Sequence, residues 1–76
     1  MRLEYTSPYN PICRVIITQR TKFSKYNLFL RSANGKTYDR GKFEEEDLLL
    51  LLEEEHFDYL LNTLKRDLHK WKNKDW

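Results

Sequence analysis

The chain has one cysteine, one methionine, two glycines and two prolines in 76 residues. Each scarcity excludes something. A lone Cys13 cannot form an intrachain disulfide, and within an apolar run it reads as a small buried hydrophobe. One cysteine and two histidines spread along the chain make no zinc set. Two glycines, each beside a turn, leave no Gly-rich phosphate loop. The longest uninterrupted apolar run is five leucines, far short of a membrane span. Met1 to Tyr5 leads into no apolar signal region, and no Asn-x-Ser/Thr site occurs. The expectation is a soluble protein of the cytoplasm, of a host cell if the source is viral.

Catalytic patterns are missing as well. The acidic residues sit in runs beside one another, and no spacing isolates one carboxyl for general acid work. No Ser/His/Asp arrangement stands out. Glu53-x-x-His56 has the spacing used in di-metal carboxylate bundles, but the chain has no spare helices to supply the other ligands. The expectation is no enzyme, no cofactor and no metal.

What is present is strong charge segregation under a net charge of +2. Residues 1–42 carry +7, residues 43–64 carry −8, and residues 65–76 carry +3. Such blocks favour directed electrostatic docking over uniform polyanion binding. Acids at a helix start and bases at its end also complement a helix dipole. That accounts for Glu44 to Asp47 and for Lys65 to Lys74, but not for Glu53-Glu54-Glu55.

The N-terminal half reads as strands at roughly 2–6, 12–20, 25–33 and 36–40, within a single domain over 1–76. Ile12 to Arg20 is β-branched and dense, with apolar residues on both faces. Ser7 to Pro11 reads as a turn. Asn34-Gly35 is a hairpin signal, because both residues tolerate positive φ. A two-residue loop there pairs Arg31 with Tyr38 and Phe29 with Arg40. Phe29, Arg31, Lys36, Tyr38 and Arg40 then share a solvent face, as a stacking platform for single-stranded nucleic acid. A three-residue loop with a bulge puts Tyr38 beside Leu30 on the core face, and the platform disappears.

Residues 43–72 read as a helix, long or kinked. The later apolar residues Phe57, Leu60, Leu61, Leu64, Leu68 and Trp71 fall on one arc about 100° wide. Leu48, Leu49 and Leu52 fall with His56 and Tyr59 on an arc roughly 120° away. Either the helix breaks near Glu53–Glu55, or half of it packs on something other than its own sheet. No Ser, Thr, Asp, Asn, Gly or Pro marks a stop between Glu53 and Phe57.

The fold expected is α+β: a three- or four-stranded antiparallel meander followed by that C-terminal helix, packed on one face. Its core is Cys13, Val15, Ile17, Tyr26, Leu28, Leu30, Leu60, Leu64, Leu68 and Trp71. A chain this short buries only roughly 60% of its unfolded surface, so a homodimer or a tight protein partner through the leucine-rich segment is expected.

The function expected is a small non-catalytic protein-binding module. Leu48, Leu51 and Leu52 are its apolar contacts, and Glu53, Glu54 and Glu55 a steering rim. Proteins of this size and kind include phage and mobile-element inhibitors of host machinery, and an acidic helix could fill a nucleic-acid channel in its target. The alternative is a dimer joined by the leucines that binds single-stranded nucleic acid on the basic aromatic sheet face. Trp76 ends the chain, frayed or docked on a partner.

Overall fold

Alternating residues in β1, dense β-branched residues in β2 and the hairpin at Asn34-Gly35 underlie four strands in the computed structural model, which describes residues 1–8 and 11–74. They are β1 (Arg2–Thr6), β2 (Ile12–Thr18), β3 (Tyr26–Ser32) and β4 (Thr37–Phe43). They pair antiparallel in the order β1-β2-β3-β4, a meander. The chain continues into α1 (Glu45–Glu54), a short 3-10 turn (Asp58–Leu60) and α2 (Leu61–Lys72). The fold is therefore α+β, with one open antiparallel sheet. Residues 9–10 of the turn expected at Ser7 to Pro11, and the terminal Trp76, lie outside the described residues.

Register settles which face is which. Leu3 pairs with Ile17 and Tyr5 with Val15. Val15 in turn faces Leu30, and Ile17 faces Leu28. Directly opposed residues project to the same side, so these form the inner face. Against it lie Leu48, Leu52, Phe57, Leu60, Leu64 and Leu68 from the helical layer, all buried. Of the expected core, Cys13 and Trp71 are only half-buried. Cys13 is the extra residue where the β2–β3 register shifts between Ile12 and Arg14. Trp71 lies at the edge of the helical layer, its indole Nε1 donating to Gln19 Oε1 at 2.5 Å.

The helix breaks, and the break is a cap with a non-glycine residue in the left-handed region. His56 has φ +66°. Its N–H donates to the Glu53 carbonyl at 3.2 Å, and the Phe57 N–H reaches back to the Leu52 carbonyl at 2.8 Å. This pair of bonds is the Schellman arrangement, and its usual apolar contact is supplied by Phe57 and Leu52, both buried. Histidine is among the side chains that tolerate this conformation better than most. The reversal also resolves the two arcs. Once α1 ends at Glu54, Leu48 and Leu52 face the same sheet as Leu64 and Leu68 do, and neither stripe needs a second surface.

The hairpin between β3 and β4 takes the three-residue loop Ala33-Asn34-Gly35. Ser32 N–H donates to the Lys36 carbonyl at 2.8 Å, and Gly35 has φ +88°. A second register shift follows: Leu28 faces Gly41 while Phe29 faces Asp39, so Arg40 is an extra residue. Gly41, at φ +98°, makes that bulge possible.

Candidate functional site

α1 and its C-cap Glu55 together carry six acids and five leucines, and the fold divides both groups. Leu48 and Leu52 are fully buried in the chain's own core. Leu49 and Leu51 are half-buried against that core. Only Leu50 faces solvent, at 54% exposed. The expected contact set Leu48, Leu51 and Leu52 is thus corrected: two of the three are core residues, and the outward leucine is Leu50. The reason is the helix break, which turned inward the arc that a continuous helix would have pointed elsewhere.

The acids divide just as clearly. Glu45 Oε1 meets Lys72 Nζ at 2.5 Å and accepts from the Tyr26 hydroxyl at 3.3 Å, tying the start of α1 to the end of α2 and to β3. Burial, helped by that carboxylate, raises the Tyr26 pKa. Glu55 takes a two-pronged bond from Arg40, with Nη1 to Oε2 at 2.8 Å and Nη2 to Oε1. The bulge at Arg40 aims that guanidinium at the helical layer, so Glu55 belongs to an internal brace rather than to a free rim.

Glu46, Asp47, Glu53 and Glu54 remain exposed, with no ion pair among the described residues. On a helix the neighbours of position i lie at i±3 and i±4. For Leu50 those positions are Asp47, Glu46, Glu53 and Glu54, every one an acid. Glu46 and Asp47 sit in the first turn, where the helix dipole welcomes them. Glu53 and Glu54 sit in the last turn, which carries no base, and there the dipole opposes them.

The five residues of the nucleic-acid platform do not share a face. Tyr38 lies opposite Leu30, on the helix side, and Arg31 opposite Thr37 on the other. Lys36 sits over the Tyr38 ring at 5.2 Å, and Arg40 is bound to Glu55. Phe29 and Arg31 alone are left on the open face, joined there by residues the sequence reading did not place with them. Arg14 lies directly opposite Arg31, and Ile16 opposite Phe29. Glu4 is across from Ile16 on β1, bonded to Arg2 at 2.8 Å and 3.6 Å from Arg14. The Arg2 bond, with Arg14 and Arg31 nearby, holds the Glu4 carboxyl below its usual range. Strand register alone could have shown this cluster, had the loop length been known.

At the opposite end of the hairpin series, the β2–β3 turn presents Phe23 at 98% exposure. Lys22 Nζ in this turn donates to the Lys72 carbonyl at 3.1 Å and to that of Lys74, satisfying the C-terminal end of α2. A cleft of about 440 Å³ separates the turn from α1, lined by Phe23, Lys22, Tyr26, Glu44, Glu46 and Lys72, among others.

Among the described residues, no group of three or more His, Cys, Asp or Glu is gathered to hold a metal ion, and no helix is long and apolar enough to cross a membrane. No family model, curated protein or solved structure matches the chain.

Proposed function

We propose that the protein is a non-catalytic binding module that docks a basic protein surface on the outer face of α1. The observation that carries this reading is Leu50 ringed by Glu46, Asp47, Glu53 and Glu54. An exposed leucine inside a ring of unpaired acids has the make-up of a contact with an apolar centre and a charged rim. Two of those acids weaken their own helix end, a local cost that a partner's cations would offset. An inhibitory role follows if the basic surface so covered is a nucleic-acid channel.

Affinity capture from lysate tests this with three baits: the unaltered chain, Glu53→Gln with Glu54→Gln, and Leu50→Ala. A protein retained by the first bait and lost from both variants is the expected result. Equal retention by all three removes α1 from the account.

A second reading has its own support. Arg14 and Arg31 are like charges on directly opposed positions, which destabilises a sheet unless an anion relieves it. Glu4 stands 3.6 Å from Arg14 and acts on Arg31 only from farther off. A phosphate backbone crossing Phe29 and Arg31 on the open face would relieve the rest. Fluorescence anisotropy with single-stranded oligonucleotides at two salt concentrations tests this. Salt-sensitive binding that Phe29→Ala and Arg31→Ala abolish would support it, and no binding at low salt would end it.

A further inference from the structure

Only two large apolar side chains are more than half exposed among the described residues: Phe23 and Leu50. They sit in chain segments of opposite charge. Leu50 is ringed by four acids. Phe23 stands in the segment Arg20-Thr21-Lys22-Phe23-Ser24-Lys25, with three bases and no acid. From the charge complementarity of these two positions we infer that the chain pairs with a second copy of itself, the Phe23 ring of each copy seated on Leu50 of the other. The inference rests on the reading of α1's outer face given above and names a partner for it.

The Phe23 turn is built to hold its shape. Ser24 N–H donates to the Thr21 carbonyl at 3.1 Å, and the Thr21 and Ser24 hydroxyls bond at 2.9 Å. Phe23 N–H reaches Thr21 Oγ1 at 3.3 Å. Beneath it, the buried Gln19 side chain donates to the Ser24 carbonyl at 2.6 Å and is itself held by Trp71. Lys22 ties the turn to the end of α2. The backbone of a turn so held has little freedom left to lose on docking, so that only the Phe23 ring must be fixed.

Reciprocal pairing follows from where the two positions lie. Phe23 and Glu46 line the same cleft, so the wedge of one copy and the Glu46 edge of its own acidic ring border one surface. A two-fold axis across that surface forms both contacts at once and closes the assembly at two copies. Each contact then sets Arg20 and Lys25 against Glu46, Asp47, Glu53 and Glu54. A dimer of this kind also covers the α1 face, so any other basic protein competes with the second copy for it.

Sedimentation velocity of the full chain over a concentration series, at low and high salt, reads the outcome. The expected result is a monomer–dimer equilibrium that weakens with salt. Phe23→Ala and Leu50→Lys, both at exposed positions the fold does not need, should each weaken it about tenfold or more. Mixing the two variants should restore association in part, above either variant alone, because Phe23 of one and Leu50 of the other still form one of the two contacts. A chain that stays monomeric at millimolar concentration in low salt overturns the inference. So does growth beyond two copies, or a mixture no stronger than its parts. Repeating the lysate capture with a Phe23→Ala bait separates this failure from that of the function above: that bait lacks the wedge but keeps the acidic face.

Discussion

Replacing His56 by glycine should stabilise the protein, and the sign of that effect decides how the helical half is built. His56 is exposed and sits at φ +66°. The left-handed conformation costs an L-residue roughly 1–2 kcal/mol. Glycine escapes that penalty but loses about 0.5–1 kcal/mol more backbone freedom on folding. The net gain for His56→Gly is therefore about 0.5–1 kcal/mol. In a domain of this size that raises the midpoint of thermal unfolding by about 3–6 °C. Alanine provides the control. At a left-handed position it is no better than histidine, so His56→Ala should leave stability nearly unchanged. In an uninterrupted helix the ranking reverses: alanine would gain about 0.5 kcal/mol over histidine, and glycine would lose by a similar amount. Thermal and urea unfolding of the full chain, followed by circular dichroism, reads all three. The order Gly above His and Ala supports the break. The order Ala above His above Gly would refute it, and with it the inward placement of Leu48 and Leu52.

Two further predictions concern the sheet. The Tyr5 hydroxyl donates to Asp67 Oδ2 at 2.6 Å, and burial followed by that bond pushes its pKa well above the usual tyrosine range; Tyr26 is shifted the same way. The unfolded chain releases these protons near pH 10 while the folded chain keeps them, so this stability is present below pH 10 and is lost as pH rises further. Tyr5→Phe should lower stability at neutral pH by about 1 kcal/mol and flatten the decline above pH 10; a decline just as steep in the variant would remove Tyr5 from that account. Gly41→Ala meets no atom within 4 Å, so its cost is purely conformational, about 1–2 kcal/mol at φ +98°. A neutral outcome in urea unfolding would mean that the bulge at Arg40 is not held in this form.

Much of this architecture was legible from side-chain pattern. β-branched density located β2, the Asn34-Gly35 signal located the start of β4, and Val15, Ile17, Tyr26, Leu28 and Leu30 are buried on one face as expected. The arc of Leu60, Leu64 and Leu68 also faces the core. Three features were legible in part or not at all, each for a local reason. The switch of apolar arc near Glu53–Glu55 offered a helix break as one of two alternatives, but the cap at His56 uses no glycine, proline or Asx residue; its own sequence trace is the apolar pair Leu52 and Phe57 at the spacing of a Schellman cap. The Asn34-Gly35 signal fits loops of two or three residues, and the difference flips every side chain of β4. The bulge at Arg40 then re-aims the one cation that Glu55 needs. These three choices together moved Leu48, Leu52, Glu55, Tyr38 and Arg40 out of the surfaces the sequence suggested, and left Leu50 alone among four acids.

The division of the leucine run is the claim on which the rest depends, and alanine at Leu48, Leu50 and Leu52 tests it most directly. Leu48 and Leu52 are fully buried, so each replacement should cost about 2–5 kcal/mol in urea unfolding. Leu50, at 54% exposed, should change stability by no more than about 0.5 kcal/mol. Comparable losses at all three positions, or the larger loss at Leu50, would contradict the placement of α1 and the acidic face built on it.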